Sequence, residues 1–164
     1  MGGCVAVATD SSQLVMFNVE GQRYALPLGI VERVVRAVAV TALPEAPPII
    51  VGVINMQGRV VPVVDLRKRF RLERREIDVE DHFVIARSST GAVALPVDEA
   101  EGLIRDLGGE KVPAAEIVPN LNYVAEVFLL GPEMVFVLDI DTVLTDDEEL
   151  VLADSLLDIE AVRA

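Results

Sequence analysis

A Ser–His or Cys–His relay in this chain would have to run through His82, its only histidine. A nucleophilic hydroxyl needs such a base within hydrogen-bond reach. His82 stands in a charged stretch beside a strand start, and no serine lies in a Gly-x-Ser-x-Gly elbow. Cys4 is the only cysteine, so no internal disulfide can form, and two His/Cys residues in total cannot build a zinc site. Gly108-Gly109-Glu110-Lys111 lacks the spacing of a phosphate-cradling loop. Asp139 and Asp141 offer hard oxygen ligands without the rest of a calcium loop, and a helix cap accounts better for Asp139. No catalytic constellation, metal site or cofactor site emerges. The chain reads as a binding module.

The elements that would position a binding surface follow from composition and pattern. The 164 residues suit one domain or two small subdomains, and such a chain buries roughly 70% of the surface it exposes when unfolded. Net charge is −13, which disfavours nucleic acid, whose phosphates demand a basic footprint. Hydrophobic residues make up 52%, but no run nears the ~18 apolar residues of a membrane span. Residues 1–12 read as a disordered leader without a secretory signal. Gly2 is followed by Ala6 where a myristoylation signal wants Ser or Thr. Together these features point to the cytoplasm. The basic cluster Arg67 to Arg75 and the acidic stretches Glu73 to Asp81 and Asp146 to Glu149 read as solvated faces.

Strand-forming runs occupy Gln13–Val19, Arg23–Leu28, Ile30–Val35, Ile49–Ile54 and Arg59–Val64, with Asp65 capping a short helix through Phe70. Further runs follow at Phe83–Arg87, Ala92–Val97, Gly102–Asp106, Val124–Leu130 and Met134–Leu138. Asp139 then caps a short helix ending near Leu144. Gly108-Gly109 and Pro113 to Asn122 read as loop. Thr145 and Glu148 form a capping box that opens a C-terminal helix over 146–164, with Leu150, Ala153, Leu157 and Ala161 on one face and Leu152, Leu156 and Ile159 beside them.

The pattern occurs twice. Ala25-Leu26-Pro27-Leu28 returns as Ala94-Leu95-Pro96-Val97, and Glu32, Val34, Val35 and Arg36 match Glu101, Leu103, Ile104 and Arg105 at the same spacing. Val60 to Leu66 returns as Met134 to Ile140, a few residues further apart. The expected fold is mainly β: two similar five-stranded barrels packed side by side, roughly 13–72 and 81–145, with short helices and a C-terminal α-helix. A groove between the halves is the natural place for a partner.

Gln22 to Pro27, Val31-Glu32 and above all Gly52 to Arg67 (G-V-I-N-M-Q-G-R-V-V-P-V-V-D-L-R) resemble the CheW family of chemotaxis coupling proteins, over nearly the whole chain from Gln13. The resemblance implies SH3-like barrels and no catalysis. It implies an adaptor bridging the cytoplasmic tip of a chemoreceptor to the regulatory domain of a CheA-type histidine kinase, reaching the membrane only through receptor arrays. Receptor contacts implied by the resemblance fall on Val31, Arg33, Asn55, Gln57, Gly58 and Arg59, and kinase contacts on Phe83, Ala100 and Leu103. Two positions depart. The family turn commonly reads Asn-x-Arg-Gly, where this chain has Gln57, and a commonly acidic position holds Arg33 unless a one-residue slip puts Glu32 there. Glutamine lacks the bidentate fork of arginine. Arg59, two residues along on the same strand face, is the available substitute. A scaffold of a non-flagellar chemosensory pathway, and a small-ligand binder or enzyme using the groove, are the alternative readings.

Overall fold

A computed structural model describes residues 13–105, 110–113 and 122–163. Eleven strands are described: β1 (Gln13–Val19), β2 (Gln22–Pro27), β3 (Val31–Arg36), β4 (Ile50–Met56), β5 (Arg59–Val64), β6 (His82–Ser88), β7 (Gly91–Val97), β8 (Glu99–Arg105), β9 (Glu110–Pro113), β10 (Val124–Leu130) and β11 (Glu133–Leu138). Short helices Leu66–Arg69 and Ile140–Thr142 follow β5 and β11, and the C-terminal helix spans Asp146–Arg163. The expected strands all appear. β9 departs from the loop expected there, since its four residues follow two glycines and end on a proline. The predicted leader, Gly108-Gly109 and the loop over 114–121 lie outside the described residues.

The strands form two sheets, in the order β8-β1-β2-β11-β10-β9 and β3-β6-β7-β5-β4. The sheets do not follow the division at 13–72 and 81–145. β1 and β2 leave the first half to sit between β8 and β11 of the second, and β6 and β7 do the reverse. Each exchanged hairpin meets one new neighbour in parallel, β2 on β11 and β7 on β5, and the other antiparallel, β1 on β8 and β6 on β3. Only Leu28-Gly29-Ile30, one 3-10 turn, separates β2 from β3. A loop of that length carries the chain onward to the other sheet.

The duplication holds at the level of packing. Leu14, Met16, Ala25, Phe128, Val135 and Val137 cluster within the first sheet. Their counterparts Phe83, Ile85, Ala94, Ile54, Val61 and Val63 cluster within the second. A larger core, including Phe17, Leu26, Leu66, Leu95, Val127 and Leu138, joins the sheets. The alternation of each strand divides its side chains between its own cluster and this shared one. The Asp65 amide donates to the Ile49 carbonyl at 2.8 Å, and the Asp139 amide to that of Tyr123 at 2.8 Å. Both aspartates cap as expected, accepting from the amides of Lys68 and Asp141.

The capping box also forms. The Glu148 amide donates to Thr145 Oγ1 at 3.2 Å, and the Thr145 amide to Glu148 Oε1 at 2.8 Å. The helix it opens packs through the flank of the expected face rather than its centre. Leu152 and Ser155 are buried and Leu156 is half-buried, whereas Leu150 and Ala153 are exposed. Apolar residues occur around much of this helix, so spacing alone selects no face. The side chains of Leu157 and Ala161 lie outside the described residues. No described helix is long and apolar enough to cross a membrane.

Candidate functional site

Two β-bulges place the acidic residues that the sequence left in ambiguous register. β3 pairs with β6 through Val31↔Ala86 and then Arg33↔Ile85, so Glu32 is the extra residue. β8 pairs with β1 through Met16↔Gly102 and Phe17↔Ala100, which makes Glu101 the extra residue at the matching position. A bulge breaks the alternation and re-aims its side chain. Here it turns Glu32 toward Arg59, whose Nη2 donates to Glu32 Oε1 at 2.7 Å. That hydrogen bond holds the Glu32 carboxyl below its ordinary range, and the charges of Arg59, Arg87 and Arg33 act in the same direction.

Arg59 is carried by the β4–β5 turn. Gln57 and Gly58 have φ of 55° and 85°, the two positive values of a type I′ hairpin. The Asn55 side chain locks it, its Oδ1 accepting from the Gly58 amide at 2.8 Å. Although β3 and β4 are opposite edges of their sheet, the Glu32–Arg59 pair links β3 to the β4–β5 turn. Beyond β3, Thr41 and Val53 exchange two backbone hydrogen bonds of 2.8 Å. Val31, Arg33, Asn55, Gln57, Gly58 and Arg59 thus fall on two elements joined by this ion pair. Val31 is half-buried and the other five are exposed.

The second set does not hold together. Phe83 is 0% exposed, packed among Ile54, Val61, Val63 and Ile85, so it cannot meet a partner in the folded chain. Its place at an inward strand position explains this. Ala100 is half-buried and Leu103 is 59% exposed, both on edge strand β8. Leu103 is the counterpart of Val34, itself 37% exposed on edge strand β3.

Two charged groups escaped the sequence reading. Around bulged Glu101, Arg23 Nε donates to Glu101 at 3.1 Å and its Nη1 to Glu133 at 2.8 Å. The repeated glutamate was the available signal. The stretch Arg67 to Asp81, expected to be a solvated face, instead clamps the sheets together. Arg67 is 8% exposed and bonds Glu20 and Asp98, the latter at 2.6 Å. Arg75 reaches Asp81 at 2.9 Å and Asp98 at 2.8 Å. Burial pushes the Asp98 carboxyl up, but the Glu20 amide and the two guanidiniums outweigh it and hold it below the usual range. Burial likewise pulls Arg67 down, and its bonds to Glu20 and Asp98 leave it raised. Nothing in sequence spacing marks Glu20 as a neighbour of Arg67.

Comparison with known proteins places these features in a family. The model of the CheW-like domain matches residues 13–148. The chain is 37% identical over 92 residues to the chemotaxis protein CheW of Bacillus subtilis, covering 56% of this chain and 59% of that protein. It is 25% identical over 154 residues to CheW of Klebsiella aerogenes, covering 93% and 92%. It is 28% identical to protein FrzA of Myxococcus xanthus, covering 70% and 68%. Among solved structures, the scaffolding protein TtCheW of Thermoanaerobacter tengcongensis superposes with a TM-score of 0.75 at 24% identity. That match covers 84% of this chain and 95% of TtCheW.

Proposed function

Because the chain belongs to the CheW-like domain family, we propose that it is a non-enzymatic cytoplasmic adaptor that couples chemoreceptors to a CheA-type histidine kinase. The observation that carries this reading is the Glu32–Arg59 pair, which joins β3 to a locked turn and presents Arg33, Asn55 and Gln57 on one rigid support. A docking surface needs its groups held in place before the partner arrives, since ordering them on binding costs affinity. The receptor tip would meet this patch. Ala100 and Leu103 on β8 would face the kinase regulatory domain. Two surfaces on one body turn separate encounters into local ones at high effective concentration.

The test is co-sedimentation of the protein with receptor-containing membranes and with the kinase regulatory domain. Binding to both is expected. Failure to bind any such kinase domain from the same organism would sink the reading. A second reading keeps the scaffold and changes the circuit, to surface motility, development or second-messenger control. The observation favouring it is Gln57 at the turn position where the family commonly has arginine. Neighbouring kinase, receptor and regulator genes discriminate between the two.

A further inference from the structure

The internal duplication allows one half of the molecule to be read against the other. On the first sheet, Tyr24 stacks on Phe70 with ring centroids 4.4 Å apart and lies 5.9 Å from Phe136. Tyr123 joins Phe70 at 5.3 Å. These rings fill the space between the sheet and the segment that follows β5. At the matching positions around the second sheet, Tyr24 becomes Val93, Phe136 becomes Pro62 and Phe70 becomes Leu144. Three aromatic rings are replaced by smaller side chains on an equivalent backbone. Leu152 of the C-terminal helix packs against Val93 and Leu144 there, and beside them an open groove of about 550 Å³ lies between β5, β7 and that helix, lined by Val93, Pro62 and Leu144.

Two further features describe what fits there. The helix edge of the groove carries Leu150, which is 68% exposed. Among the described residues, the charged side chains lining the groove are Asp146 and Glu149. The Glu32–Arg59 site contributes none of the lining residues.

We propose that this groove is a separate docking site for a partner segment that inserts an aromatic side chain, flanked by Lys or Arg, into the space its counterpart half fills with its own rings. The anchor would occupy the volume left by Val93 and Pro62. Its flanking cations would meet Asp146 and Glu149 at the rim. Aromatic anchors in apolar pockets with charged rims are the usual energetic centre of protein interfaces.

The experiment is an amide NMR titration of the full chain with acetyl-Lys-Trp-Lys-amide, acetyl-Glu-Trp-Glu-amide and acetyl-Lys-Ser-Lys-amide. The first peptide is expected to shift signals of Val60, Ala92, Val93 and Leu150 and to bind about tenfold more tightly than the second, since two weak rim pairs contribute about that much. The serine peptide is expected to leave these signals unmoved. Val93→Tyr should abolish the shifts by restoring the ring that Tyr24 supplies in the other half. Leu150→Lys, at an exposed position outside the core, should abolish them without touching the fold. Equal binding of the Lys and Glu peptides, shifts centred elsewhere, or unchanged binding in Leu150→Lys would overturn the proposal. So would groove signals that move with protein concentration alone, which would mark a contact between copies of this chain.

Discussion

Gln57 sits at the first central position of a type I′ turn with φ of 55°. A left-handed backbone costs a non-glycine residue about 1 kcal/mol, so neither glutamine nor arginine is chosen here for conformation. The difference between them is the side chain's reach and charge. Replacing Gln57 by Arg should leave stability within about 0.5 kcal/mol and strengthen binding to conventional chemoreceptors, measured by co-sedimentation. Unchanged binding would count against the turn as the receptor contact. Asp98 presents a different residue-scale case. One of its oxygens accepts from both Arg67 and Arg75, and the other from the Glu20 amide. Its folded-state pKa lies below the ordinary 3.8. Its contribution is therefore present above that value and lost as pH falls through the lower, folded-state one. Asp98→Asn should cost about 1–2 kcal/mol at pH 7, a figure reduced for its partial exposure, and the gap in Tm from the parent should narrow as pH falls below the ordinary 3.8.

At the scale of elements, the bulges, turns and caps decide which side chains meet. Glycine is required at position 52 of β4. A Cβ there would lie 2.3 Å from the Thr41 carbonyl oxygen and 2.7 Å from a Val40 methyl. The neighbouring Thr41–Val53 bridge brings the backbones this close. Gly52→Ala should thus part the bridge and cost about 1–3 kcal/mol, seen as a lower urea midpoint at constant slope. The capping box gives a second element-scale prediction. Glu148 serves Thr145 and also pairs with Arg69 of the short helix after β5. Thr145→Ala should cost about 1 kcal/mol and fray the first turn, measured by far-UV circular dichroism and thermal unfolding.

For the whole molecule, the exchange of hairpins makes the two halves interdependent. The second sheet draws β3, β4 and β5 from the first half and β6 and β7 from the other. The shared core likewise takes Phe17 and Leu26 from one half and Leu95 and Val127 from the other. Residues 13–80 expressed alone would lack two strands of that sheet and the partners of β1 and β2. They should remain unfolded by circular dichroism and amide dispersion. The full chain should unfold in one transition by both fluorescence and circular dichroism. Two separate transitions would show that the halves are independent after all.

The sequence determined a good deal unaided. Strand-forming runs such as Gln13–Val19 and Arg59–Val64 appear with those bounds, and Asp65, Asp139 and the Thr145–Glu148 pair cap as read. These depend on neighbours within four residues, so local pattern suffices. The repeat was legible for the same reason. Tertiary structure alone decided which strand lies beside which, since alternation tells an inward face from an outward one but does not name a neighbour. It decided that Phe83 is core and that Glu32, bulged out of register, turns to Arg59. It decided that Arg67 is a buried clamp on Glu20 and Asp98. Each of these pairings joins residues far apart in the chain, and only the completed packing sets their distance.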